Sequence, residues 1–258
     1  MKLQRNFLLI LITCSILSCS TKKQLLYLNN SNNYLNTEIQ FDQYKIQPFD
    51  IIKIDVHSSN IEAAIPYNRF SSVGNRNINP NLDNLQLDGY LVDEDFSINF
   101  PVLGKIILRD KTLTEIEKTI SDLLLQNNHL ADPVVNSRII NAKFTVLGEV
   151  TNPGTFSFIG ERLTLLQAIG FAGDLTIDGK RTDVILIREI NNIRKIKKIN
   201  LTDTSTFNLE TYFIRPNDVI IIQPNFNKVK SAGFIGNPSS IASIAQIILS
   251  IALIIVNR

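Results

Sequence analysis

Residues 239–256, SSIASIAQIILSIALIIV, constrain the chain more than any other stretch, because thirteen of these eighteen residues are apolar. As a helix rising about 1.5 Å per residue, a run of this length reaches roughly 27 Å, close to the thickness of a bilayer's hydrocarbon core. Ser239, Ser243, Gln246, Ser250 and Asn257 recur at intervals of four, three, four and seven. At about 100° per residue they fall within one narrow fan, so a polar stripe follows an otherwise apolar helix. Hydroxyl and amide groups facing hydrocarbon are costly unless paired, and the stripe therefore calls for neighbouring helices or water. A transmembrane helix over 239–256 is expected, with these five residues lining a pore. The competing expectation is a C-terminal core helix of a soluble domain.

The other end sets the compartment. Residues 1–18 place Lys2 and Arg5 before an apolar stretch and end in small residues, the layout of a secretory signal. ILSC, residues 16–19, resembles the lipobox of bacterial lipoproteins, which makes Cys19 the expected lipid attachment site. Lys22 and Lys23 follow it, and the body is expected to face the periplasm. Cys14 would leave with the signal, so the mature chain would hold no disulfide. Removing residues 1–18 takes away Lys2 and Arg5 and no acidic residue, leaving basic and acidic side chains in balance. That balance argues against nucleic acid as a partner.

Between the two ends the pattern is mixed. Residues 19–43 read as an anchor linker. In YKIQPFDIIKIDVHS, residues 44–58, alternating apolar residues around Pro48 predict two short strands joined by a turn. Residues 60–84 contain seven asparagines, and 60–88 read as loop. LTEIEKTISDLLLQ, 113–126, sets Leu113, Ile116, Ile120, Leu123 and Leu124 on one helical face behind the candidate N-cap Thr112. DPVVNSRII, 132–140, returns to strand, closing an α+β unit over 44–141.

A second unit spans 142–224. AKFTVLGEVTNPGTFSF predicts a hairpin turning tightly at Asn152, Pro153 and Gly154, and LTLLQAIGFAGDL a short helix ended by Gly173. DVILIREINNIRKIKKINL predicts a hairpin turning at Asn191 and Asn192, with Ile193, Ile196 and Ile199 inward and Arg194, Lys195, Lys197 and Lys198 wet. PNDVIIIQP supplies the closing strand. Strands around one helix in this order match a β-grasp arrangement. Residues 225–238 read as a second linker.

These pieces, from YKIQPFDIIKIDV through FPVLGKI, DPVV, VLGEVTNPGTF and VILIRE, resemble the polysaccharide biosynthesis/export family of outer-membrane proteins, the Wza type. The resemblance implies an α+β export domain, one soluble-ligand-binding (SLBB) β-grasp domain and C-terminal helices that assemble into a ring-shaped homo-oligomer across the outer membrane. It also implies a polysaccharide substrate and an inner-membrane polysaccharide co-polymerase as partner. Two departures stand out: Phe49 occupies the place of the glycine in the family's usual Pro-Gly-Asp, and DEDFSINFP, 93–101, lacks a glycine before its strand.

Catalysis has little support. His57 and His129 have no cysteine or acidic residue at metal-ligand spacing, and Asp93, Glu94 and Asp95 read as a solvated turn. No cofactor and no metal are expected. The chain reads as an outer-membrane lipoprotein subunit of a channel for capsular or extracellular polysaccharide. The rival is a periplasmic glycan-binding lipoprotein whose C-terminal helix is only an anchor.

Overall fold

The computed structural model describes residues 25–33, 38–39, 42–69, 89–160, 162–191, 193–208, 210–226, 228–229, 242–247 and 250. The first unit is built on β1 (Ile51–His57), whose alternation buries Ile52, Ile54 and Val56 on one face. It is the centre strand of an antiparallel sheet, between β2 (Tyr90–Leu91) and β5 (Val134–Ile139), with Ile52 opposite both Tyr90 and Ile139. One strand, not two, comes from residues 44–58. Tyr44 and Ile46 are buried, but the chain turns at Pro48 before pairing begins. The stretch read as loop from residue 60 holds a helical turn α1 (Ile61–Ala64) and a 3₁₀ turn (Ile65–Tyr67), capped by Asn60. Residues 70–88 lie outside the described residues.

Strands β3 (Ser97–Phe100) and β4 (Gly104–Ile107) form a hairpin. Helix α2 (Leu113–Gln126) starts where the sequence places it. Thr112 accepts from the Glu115 amide while the Glu115 carboxylate accepts from the Thr112 amide, a reciprocal cap. Its buried face is Leu113, Ile116, Ile120 and Leu124, with Leu123 half-buried. Glu117 fastens the helix to β5 by accepting from the amide and hydroxyl of Ser137 at 2.7 and 3.1 Å.

The second unit is a five-stranded sheet ordered β10-β9-β12-β6-β7, from β6 (Lys143–Gly148), β7 (Gly154–Ser157), β9 (Gly179–Ile190), β10 (Ile193–Ile199) and β12 (Val219–Pro224). The closing strand is central: β12 runs parallel to β6 and antiparallel to β9. A two-stranded ribbon of β8 (Leu163–Thr164) and β11 (Phe213–Ile214) flanks helix α3 (Leu165–Phe171), which carries a second reciprocal cap between Thr164 and Gln167. Gly173, at φ +74, ends α3 as the sequence predicts.

The β6–β7 connection is not a tight turn. The ladder ends at Val146 opposite Gly154, and the chain between them docks on the end of α3, the Thr151 and Asn152 amides donating to the Asp174 and Ala172 carbonyls. Gly148 makes that route possible: it sits at φ +92, and a Cβ there would lie 1.9 Å from the Ile222 carbonyl oxygen.

Hairpin β9–β10 does turn after Ile190, with Asn191 left-handed at φ 51, but its isoleucines do not share a side. Ile199 is buried, whereas Ile193 and Ile196 are 60% and 61% exposed. A strand repeats every two residues, so a spacing of three puts Ile196 on the opposite face from its neighbours, and β10 is a sheet edge.

The segment read as an anchor linker is partly structured. The Leu28 and Asn29 amides donate to the carbonyls of Leu201 and Thr202, and Asn30 exchanges bonds with Asp203 and Thr204, so residues 25–33 lie against the second unit. Among the described residues no helix is long and apolar enough to cross a membrane. Most of 239–256 lies outside them; residues 242–247 and 250 are helical and exposed, adding nothing to the core.

Candidate functional site

Two copies of one turn meet where the units join. Gln47-Pro48-Phe49-Asp50 leads into β1, and Arg215-Pro216-Asn217-Asp218 leads into β12. In both, the residue after proline has a left-handed backbone, Phe49 at φ 69 and Asn217 at φ 66. In both, the aspartate Oδ2 accepts from the amide three residues back at 2.8 Å. Each carboxylate is buried and then partnered differently. Asp50 accepts from the Tyr44 hydroxyl at 2.9 Å. Asp218 takes two guanidinium bonds from Arg188, at 2.9 and 2.7 Å, and Arg188 also donates to the Phe213 carbonyl.

The electrostatics follow from those partners. Burial raises the Asp50 carboxyl to about 6, opposed by the Gln47 amide and the Tyr44 hydroxyl. Burial and then the Asp50 charge raise the Tyr44 phenol above its ordinary value, so it remains a hydrogen-bond donor at neutral pH. Burial also pushes Asp218 upward, while the Arg188 bonds pull it down.

Tyr44 and Arg215 form part of the wall of a cavity of about 180 Å³ at this junction, with Ser137, Arg138, Phe158 and Glu210. At its edge Arg215 donates to Asp42 at 2.7 Å. The cavity is smaller than the roughly 300 Å³ at which drug-sized ligand sites begin. It offers a phenyl group, two guanidinium groups and the carboxylates of Asp42 and Glu210, which suits a small hydroxylated group rather than a cofactor. No sequence feature singled it out, although the repeated Pro-x-Asp was visible in the chain.

The other residues singled out in the sequence are dispersed. Asp93, Glu94 and Asp95 form an exposed turn. The Lys105 ammonium and the Ser97 hydroxyl bond Asp95 and hold its carboxyl at about 2. Phe96 supplies the left-handed residue, φ 65, just before β3, and the Arg109 guanidinium stacks 4.4 Å from its ring. His57 ends β1, while His129 packs edge-on against Tyr67. Among the described residues no group of three or more His, Cys, Asp or Glu is placed to hold a metal ion. On the basic hairpin, Arg194 pairs with Glu189 at 2.6 Å and Lys198 with Asp183 at 3.4 Å.

Cys19, Ser239 and Asn257 lie outside the described residues. Ser243, Gln246 and Ser250 are helical and exposed, and Ser250 donates to the Gln246 carbonyl at 2.7 Å. Ile244 and Ile247, 40% and 59% exposed, share this helix.

Compared with models of protein families, residues 39–139 match the polysaccharide biosynthesis/export protein and residues 143–194 match the SLBB domain. The first match covers the sheet of β1, β2 and β5 with α2, and the second begins at β6. Together they take in more than half of the chain, which belongs to the polysaccharide biosynthesis/export family of the type that carries an SLBB domain, with a role in the export or binding of polysaccharide.

Proposed function

We propose that this chain is a lipid-anchored outer-membrane subunit of an oligomeric channel exporting capsular or extracellular polysaccharide, a conduit without enzymatic activity. The observation that carries the reading is the exposed helical stretch near the C-terminus. Its side chains Ile244 and Ile247 are exposed and suit another apolar surface, while Ser243, Gln246 and Ser250 share one side and suit a wet or polar one. A ring of such helices across the membrane satisfies both demands, with aliphatic groups toward lipid and the polar stripe toward a lumen. Sugar hydroxyls would exchange hydrogen bonds with the stripe weakly and repeatedly, since tight binding would stall a polymer. Acylation at Cys19 holds the ring in place, and an inner-membrane co-polymerase delivers the chain.

The test replaces Ser243, Gln246 and Ser250 together with leucine. Conductance in planar bilayers and surface polysaccharide both fall steeply while membrane insertion is retained; unchanged values overturn the pore-lining assignment. The junction cavity, with its guanidinium and phenyl groups, favours the second reading, a periplasmic glycan-binding lipoprotein. Deleting residues 239–258 separates the two. Export stops if the chain is a channel and continues if it is a binding protein.

A further inference from the structure

Both ends of the folded body leave it at the loop that joins α3 to β9. At the N-terminal side, the Tyr27 hydroxyl donates to Asp174, and the Arg181 guanidinium lies 5.3 Å from the Tyr27 ring centre. Arg181 in turn donates to the Thr176 carbonyl at 3.3 Å. At the C-terminal side, the Asn225 amide donates to the Asp178 carbonyl at 2.6 Å, and Lys228 pairs with Asp178 at 3.6 Å. Asn225 also caps the turn that follows, accepting from the Lys228 amide. One loop therefore holds the segment arriving from Cys19 and the segment departing toward the apolar run.

The same place exposes large apolar side chains. Ile177 is 69% exposed, Phe226 77% and Val229 57%, and Leu26 beside Tyr27 is 48% exposed. Singly such residues need no account; four at the exits of both membrane-directed segments do. Tyr27 follows Cys19 by eight positions, a span of at most about 28 Å.

We infer that this loop, with Ile177, Phe226 and Val229, is the membrane-contacting pole of the body and rests in the headgroup region of a phospholipid leaflet. The inference rests on the lipid-anchored reading above. Its occupant is lipid because the two segments that leave there are the ones carrying the acylation site and the apolar run. Of the charges at the pole, Asp178 pairs with Lys228, Asp174 accepts from the Tyr27 hydroxyl and Arg181 donates to the Thr176 and Gly179 carbonyls, so the contact is apolar and needs no anionic lipid.

The experiment uses the full chain made with its own leader and reconstituted into phosphatidylethanolamine-rich liposomes. Single cysteines replace Ile177, Phe226 and, in the first unit, the exposed Ile107 and Val134. Each is labelled with an environment-sensitive dye, and the parent chain reports any labelling of Cys19 itself. Doxyl-labelled phospholipid is expected to lower emission at 177 and 226 at least ~twofold and to leave 107 and 134 unchanged, with the same result when all lipid is zwitterionic. Quenching at all four positions overturns the assignment of a pole. Flotation of the chain with liposomes and no quenching at 177 or 226 overturns the inference while leaving anchorage intact. Failure to float overturns the anchored reading, and this inference with it.

Discussion

The turn before β1 and the turn before β12 have the same backbone and different partners for a buried carboxyl. Each presents proline, a left-handed residue and an aspartate that accepts from the amide three residues back. The aspartate of the first unit faces a phenol, and that of the second faces a guanidinium. Burial raises both carboxyls; the one facing a phenol is lifted to about 6, while the one facing Arg188 is pulled back by a guanidinium buried with it. Identical local sequence logic thus yields a group that titrates near 6 and an ion pair that locks β9 to β12.

Removing the ion pair is expected to have the largest effect. Asp218→Ala leaves Arg188 buried without its carboxylate and should lower stability by about 3–5 kcal/mol, read as a large drop in the urea midpoint. Asp218→Asn should recover part of it, since the amide of Arg215 keeps its acceptor.

The next effect separates the two turns by pH. The folded value of Asp50 lies above its unfolded value, so the folded state holds the proton more tightly, and this contribution is present below about 4 and lost as pH rises through about 6. Lowering pH from 7 to 5 should therefore stabilise the parent by ~1 kcal/mol relative to Asp50→Asn, in which this dependence is missing. Equal pH profiles for the two proteins would contradict the buried, protonating carboxyl.

The smallest effects test the shared backbone. A left-handed phenylalanine costs about 1–2 kcal/mol, and Phe49 is exposed enough to lose little packing. Phe49→Gly should stabilise by ~1 kcal/mol after the extra freedom of glycine in the unfolded chain is subtracted. Asparagine tolerates this conformation, so Asn217→Gly should change the midpoint by less than ~0.5 kcal/mol. A destabilised Phe49→Gly would mean that the ring itself contributes to the junction.

Elements whose cause is local were legible. The cap at Thr112, the 3.6-residue spacing of α2, the stop at Gly173 and the turn at Asn191 all depend on residues within a few positions of one another. The inward isoleucines of β10 failed on the same local ground, because a spacing of three cannot stay on one face of a strand. The β6–β7 hairpin forms as read, but not its tight turn: Asn152-Pro153-Gly154 suits one, and the route was decided by Ala172 and Asp174 just after α3. The junction cavity was illegible, since its walls come from residues as distant as Tyr44 and Arg215.

Taken alone, the chain determined its two units, their order, the helices α2 and α3 and the family to which they belong, because periodicity, caps and motif order are properties of neighbouring residues. Tertiary structure decided that β12 is central and β10 an edge, that Asp50 meets a phenol while Asp218 meets a guanidinium, and that residues 25–33 return to the second unit. Each of those depends on which surfaces meet across long sequence separations. Contact there is chosen by shape and by the satisfaction of buried polar groups, neither of which is written in any one segment.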